Sequence, residues 1–163
     1  MEITVYEREP VALVQLDELY YTDRQGSLFK PLSPGEPHDF PVITGLRQEQ
    51  LINGVRVPPR LFKEILALLN LLKTAQPPLN LANISEIHVD QERGFTLIAN
   101  GLRGAVHLGA RDLPEKLAKF ASVWPFLKQQ GLPSRLEGIN LDYPRKVLLS
   151  LKEPVVPPAG KSR

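Results

Sequence analysis

Three short stretches near the start of the chain decide the fold: residues 7–12 (EREPVA), 21–29 (YTDRQGSLF) and 40–45 (FPVITG). Each sets apolar or β-branched residues beside Pro, Asp or Gly, a pattern typical of strands that end in tight turns. None of the three is a catalytic signature. Together they predict a small β-rich domain whose function lies at its surface.

The middle of the chain predicts three more strands, at 84–89, 95–99 and 104–108. Asn100-Gly101 separates the last two, and this dipeptide between apolar runs is the clearest hairpin signal in the sequence. Alternation resumes at 136–143, and a final strand is expected from Lys146 to Leu151.

Two helices are predicted from apolar residues at helical spacing. The first follows Pro58-Pro59 and carries a leucine-rich stripe as wide as a core-facing helix requires. The second runs from Leu113 to Leu127, with Asp112 as its expected N-cap and Glu115 completing a capping box. Pro125 is expected to kink or split that helix.

These elements predict an α+β fold, a mostly antiparallel β-sheet with two packed α-helices. Residues 10–152 form the predicted domain. Residues 1–9 are expected to be the end of a preceding strand and a linker, with a strand at residues 2–6, and residues 153–163 are expected to be a proline-rich, disordered tail.

Composition narrows the possible functions. The net charge of +2 is too small to indicate a nucleic-acid-binding protein, and the absence of cysteine excludes disulfides and cysteine-ligated metals. Residues 111–152 hold eight basic residues against four acidic ones. That excess suits an acidic partner or an anionic membrane surface, or simply a solvated mixed surface. No apolar run reaches the roughly 20 residues that a membrane-spanning helix needs.

Catalytic chemistry has little support. The three histidines, His38, His88 and His107, lie far apart in sequence and lack the spacing of metal ligands. His88 and Asp90 share one face of a predicted strand, which leaves open a small hydrolase or a binding protein as an alternative. No metal or other cofactor is expected.

The order and spacing of these pieces resemble the FtsQ/DivIB family of bacterial cell-division proteins as far as about Leu151. The matching pieces are the three opening stretches, the leucine-rich helix, Val106-x-Leu108-Gly109, the second helix and residues 139–143. The resemblance implies a β domain excised from a longer protein that also has one transmembrane helix and a POTRA domain. Residues 2–6 would then be the last strand of the POTRA domain.

The resemblance also implies a function. Such a protein would be a non-catalytic scaffold of the divisome on the extracytoplasmic (periplasmic) side of the membrane, binding FtsB and FtsL. It would take no nucleic acid and no small-molecule substrate. The alternative is a secretion or outer-membrane assembly component associated with a POTRA domain, which would bind a different partner by the same pairing of strands.

The candidate site is the predicted final strand together with the strand before it. An edge strand leaves backbone N–H and C=O groups unpaired, and a partner strand can add to them. The candidate partner-binding residues are Leu141, Tyr143, Lys146, Val147, Leu148, Leu149, Ser150 and Leu151. Two features depart from the family pattern: Asp142 stands where a basic residue is usual, and Pro144 stiffens the turn.

Overall fold

One mixed sheet organises the domain. The computed structural model describes residues 1–5 and 7–153. The helices are α1 (Pro59–Thr74) and α2 (Leu113–Gln129), and the strands are β1 (Ala12–Gln15), β2 (Leu19–Thr22), β3 (Leu28–Pro31), β4 (Val42–Thr44), β5 (Ile84–Asp90), β6 (Gly94–Ala99), β7 (Ala105–Gly109), β8 (Leu136–Asn140) and β9 (Leu148–Leu151). Their order across the sheet is β3-β2-β1-β4-β5-β6-β7-β8-β9.

The sheet is less antiparallel than the sequence predicted. The pairings β1–β4, β4–β5 and β7–β8 are parallel and the other five are antiparallel, so the expectation of a mostly antiparallel sheet is corrected to a mixed one. In two of the parallel pairs a helix connects neighbouring strands, α1 between β4 and β5 and α2 between β7 and β8. A helix of that length returns the chain to the end of the sheet where it started, so the next strand runs in the same direction.

The hydrophobic core lies between the two helices and one face of the sheet. The apolar stripe of α1 is buried as predicted, and residues that alternate along the strands join the same cluster. The fully buried members from these elements include Ile65, Leu68, Leu72, Ile87, Leu97, Val106 and Leu108. The intervening strand residues face the opposite side of the sheet, where the central strands present partly exposed side chains.

At the second helix the predicted capping box is absent, and the split that was one alternative at Pro125 does not occur. Asp112 has a left-handed backbone (φ 54°) and its side chain makes no capping hydrogen bond, so the predicted capping box does not form. Pro125 lies within an unbroken α2. Proline has no backbone N–H, so the carbonyl one turn earlier loses its helical hydrogen bond. Pro125 is exposed, and that carbonyl can hydrogen-bond to water instead, which makes a proline tolerable there.

The ends of the chain differ from expectation in different ways. Residues 1–5 are exposed and form no strand, and none of the nine strands of the sheet pairs with them. The strand predicted for residues 2–6 is therefore wrong for residues 2–5, and Tyr6 lies outside the described residues. Residues 154–163 of the predicted tail also lie outside them.

A substitution at Gly45, at the end of β4, tests the parallel packing of β4 on β5. Its φ is +88°, and a Cβ at this position would lie 2.1 Å from the carbonyl oxygen of Val89. We expect Gly45→Ala to lower the free energy of unfolding by at least about 2 kcal/mol, because backbone strain and a backbone clash add together. Urea unfolding measures the loss.

Gly35 is the matched control. It has a similar φ of +84°, but no atom lies within 4 Å of the position its Cβ would take. Gly35→Ala therefore isolates the backbone strain, expected to cost about 1 kcal/mol. Equal losses in the two variants would contradict the close approach of Gly45 to β5.

Candidate functional site

β9 forms one end of the sheet, with β8 as its neighbour. The antiparallel register runs from Asn140 opposite Leu148 to Leu136 opposite Leu151. The strand begins at Leu148, two residues later than predicted, so Lys146 and Val147 belong to the connection that precedes it. We call residues 141–147 the β8–β9 loop.

In the part of the chain that the structure describes, the outer side of β9 is an open edge of the sheet. Lys152 donates its backbone N–H to the carbonyl of Arg135 at 2.7 Å, which places this end of the strand against β8. Backbone N–H and C=O groups alternate in direction along a strand. Those of Leu148 and Ser150 therefore point toward β8, as the N–H of Lys152 does, and those of Leu149 and Leu151 point away from the sheet. No described strand lies on that outward side.

The side chains of β9 divide between the two faces of the sheet. Leu149 and Leu151 pack against the core, as does Val147 just before the strand. Leu148 and Ser150 lie on the opposite, open face, and Leu148 is 40% exposed. Leu148 therefore places an exposed aliphatic side chain beside a backbone edge with which no described strand pairs.

The candidate residues before β9 have distinct environments. Leu141 is fully buried in the core, so it supports the edge from beneath and offers no surface. Tyr143 is half-buried, and the Nζ atom of Lys146 lies 4.9 Å from the centre of its ring, within cation–π range. Tyr143 and Lys146 therefore form one unit at the entrance to β9, in which Lys146 is exposed and Tyr143 is partly exposed.

Two lysines of α2 hold the β8–β9 loop, and sequence reasoning did not identify either. Lys116 Nζ lies 2.7 Å from Oδ1 of Asp142. Lys119 Nζ donates to the carbonyl oxygens of Leu141, Tyr143 and Lys146. One signal was available, since Lys116 follows Leu113 by three residues on the apolar stripe, and a charge at a core-facing position requires a partner.

The two departures from the family pattern have clear local consequences. Asp142 pairs with Lys116 and also approaches the Nε2 atom of His107 at 3.8 Å. Pro144 lies within the loop, so it removes no backbone donor from β9. Next to this loop the pairs Asn140–Leu148, Ile139–Leu149 and Gly138–Ser150 follow one another in register, and the one irregularity of the pairing lies at the far end, between Leu136 and Gly138.

His88 and Asp90 each hydrogen-bond to other groups, and none of the described side-chain hydrogen bonds joins the two. His88 Nδ1 lies 2.9 Å from the hydroxyl oxygen of Thr44, which also donates to Glu86. Asp90 accepts the backbone N–H groups of Arg93 and Glu92, and these hydrogen bonds lower the pKa of its carboxyl group. Asp90 therefore acts as a turn residue.

Other site types also lack support. A cavity of about 910 Å³ lies beside α1 and the starts of β4 and β5, and neither His88 nor Asp90 lines it. In the part of the chain that the structure describes, no three His, Asp or Glu side chains come together as they would around a metal ion. None of the described helices is both long and apolar enough to cross a lipid bilayer.

Comparison with known proteins places the chain in a family. Residues 12–147 match the family model described as "Cell division protein FtsQ/DivIB, C-terminal". The chain is 36% identical over 149 residues to the cell division protein FtsQ of Geotalea daltonii, covering 91% of this chain and 53% of that protein. It is 39% identical over 147 residues to FtsQ of Anaeromyxobacter sp. (strain K), covering 90% of this chain and 48% of that protein.

The match is broad in this chain and partial in its relatives. A further FtsQ, from Geobacter sp. (strain M21), is 37% identical, again over 91% of this chain and 53% of the relative. The chain thus spans about half the length of the curated relatives it matches. The family match extends from the first strand into the β8–β9 loop, which confirms the resemblance noted in the sequence, and the chain belongs to the FtsQ/DivIB family of cell-division proteins.

Proposed function

We propose that this domain is a non-catalytic scaffold of the divisome that binds FtsB and FtsL by adding a partner strand to the outer edge of β9. The observation that carries the proposal is the open edge, where Leu149 and Leu151 direct backbone groups outward beside the exposed side chain of Leu148. In the longer protein this domain would lie on the extracytoplasmic side of a membrane to which a separate segment anchors it.

The other end of the sheet is a poorer place for strand addition. β3 ends at Pro31, which lacks a backbone donor, and the exposed Lys30 beside it is paired with Glu36. The backbone N–H of Leu28 already donates to the carbonyl of Val55. These features are the ones by which proteins protect edge strands, and β9 has none of them in its four residues.

Each candidate residue has a role in this proposal. Leu149 and Leu151 supply backbone hydrogen bonds, and Leu148 and Ser150 contact alternate side chains of the incoming strand. Tyr143 and Lys146 contact the end of the partner that lies nearest the loop. Val147 and Leu141 support these residues through the core.

Calorimetric titration tests the proposal directly. We expect the domain to bind the extracytoplasmic segment of FtsB saturably, alone or together with FtsL, and Tyr143→Ala to weaken binding by about tenfold or more, as aromatic residues at interfaces do. Tyr20→Ala, in β2 near the other end of the sheet, is the control and is expected to leave binding unchanged.

The negative outcomes are informative. Binding by a folded domain that is lost equally in both tyrosine variants would contradict a site at β9. If the isolated domain does not bind, the titration is repeated with the whole extracytoplasmic region of the protein, and failure there as well would overturn the proposal.

A further inference from the structure

The β8–β9 loop has almost no backbone hydrogen bonds of its own. Leu141 donates its N–H to the carbonyl of His107, and the N–H of Asp142 is bound by the side chain of Asn140. Among the described backbone–backbone hydrogen bonds of turns and loops, none involves residues 142–147. A segment of this kind is held by side chains or not at all.

Lys119 supplies the missing contacts. Its Nζ atom lies 3.0 Å from the carbonyl oxygen of Leu141, 2.5 Å from that of Tyr143 and 3.2 Å from that of Lys146. An ammonium group has three N–H donors, so all of them are directed into one loop. We call this arrangement, Lys119 with the three carbonyl groups, the lysine clamp.

A second anchor lies one helical turn earlier. Lys116 is 9% exposed and forms its ion pair with Asp142, so α2 holds both the start and the middle of the loop. Gly109 makes room for this pair, because a Cβ at residue 109 would lie 2.5 Å from the carboxylate of Asp142. Tyr143 and Lys146, which lack such an ion pair with α2, depend on the lysine clamp.

We propose that Lys119 is a positioning residue for the β9 edge, ordering the loop so that Tyr143, Lys146 and the first residue of β9 are held ready for a partner. The inference rests on the proposed function at β9. A loop that is already ordered in the free domain loses less conformational entropy on association, so less of the binding free energy is lost. Lys119 itself, half-buried against the loop, need not touch the partner.

The test compares two lysine-to-methionine variants in the same helix. Lys119→Met keeps the aliphatic stem and removes the three donors. Lys128→Met removes the same charge from an exposed lysine that makes none of the side-chain hydrogen bonds or ion pairs found among the described residues. NMR relaxation of backbone amides reports the order of the free domain, and titration with the FtsB segment reports binding.

We expect Lys119→Met to lower the backbone order parameters of residues 143, 145, 146 and 147 from about 0.85 to below about 0.6. We also expect it to weaken FtsB binding by about tenfold, the loss that follows from ordering a few residues on association. Lys128→Met should change neither quantity. If Lys119→Met does not fold, Lys119→Arg keeps the charge but spreads its donors over a plane, and the loop should still lose order.

The two readouts separate this inference from the proposed function. Unchanged order parameters in the loop of Lys119→Met overturn the clamp, whatever happens to binding. Loss of order with unchanged affinity overturns the positioning role. A wild-type domain and whole extracytoplasmic region that both fail to bind FtsB would overturn the proposed function and with it the positioning role, while the order parameters would still decide whether the clamp exists.

Discussion

Phe62→Ala is expected to lower the free energy of unfolding by about 3–5 kcal/mol, the usual cost of removing a buried phenylalanine from a well-packed core. Phe62 is 2% exposed and lies on the buried face of α1. Its Cγ atom would lie only 2.7 Å from a Cβ at Gly26, so the ring packs directly on the turn between β2 and β3. Truncation would leave a cavity between α1 and that turn.

Urea or thermal unfolding measures this loss, and Phe126→Ala is the matched control. Phe126 belongs to α2 and is 57% exposed, so the same chemical change should cost less than about 1 kcal/mol. Similar losses for the two phenylalanines would contradict the placement of α1 against the β2–β3 turn.

Leu148→Glu is expected to weaken binding of the FtsB segment by at least about 100-fold. In the proposed complex the incoming strand covers this side chain, and a carboxylate there would lose water without gaining a partner. The free domain should be little affected, within about 1 kcal/mol, since Leu148 is 40% exposed. Calorimetric titration measures the affinity, and urea unfolding checks the fold.

Ile98→Glu is the control for that variant. Ile98 is 38% exposed and lies on the same open face, but in the interior of the sheet on β6. Binding is expected to stay within about threefold of wild type, because no free backbone edge accompanies this side chain. Equal losses at Leu148 and Ile98 would point to a partner that lies across the face of the sheet, and would contradict strand addition.

Local sequence signals located the central strands well. The structure places β5, β6 and β7 within one residue of the predicted ends, because an Asn-Gly turn and strict alternation are both local properties of the chain. The parallel pairings could not be predicted in the same way. They depend on which strands the helices bring side by side, and that is decided by packing between residues distant in sequence.

The candidate site shows a similar division. A final strand was predicted from Lys146 to Leu151 and is found at Leu148–Leu151, but its position at the end of the sheet follows from the whole strand order, which local pattern does not give. The contacts of Lys119 join residues 22 to 27 positions apart, and a lysine at this position is indistinguishable by sequence from one on a solvated surface. Side chains that hold a loop from another element leave little local signal.

Amide hydrogen exchange at β9, with and without the FtsB segment, tests the central claim most directly. In the free domain the N–H groups of Leu149 and Leu151 face outward and should exchange rapidly, while that of Ser150, directed at β8, should already be protected. Strand addition predicts that the partner slows exchange at Leu149 and Leu151 by about 100-fold or more and leaves β3 unchanged. Saturable binding with no new protection at Leu149 and Leu151 would contradict the account.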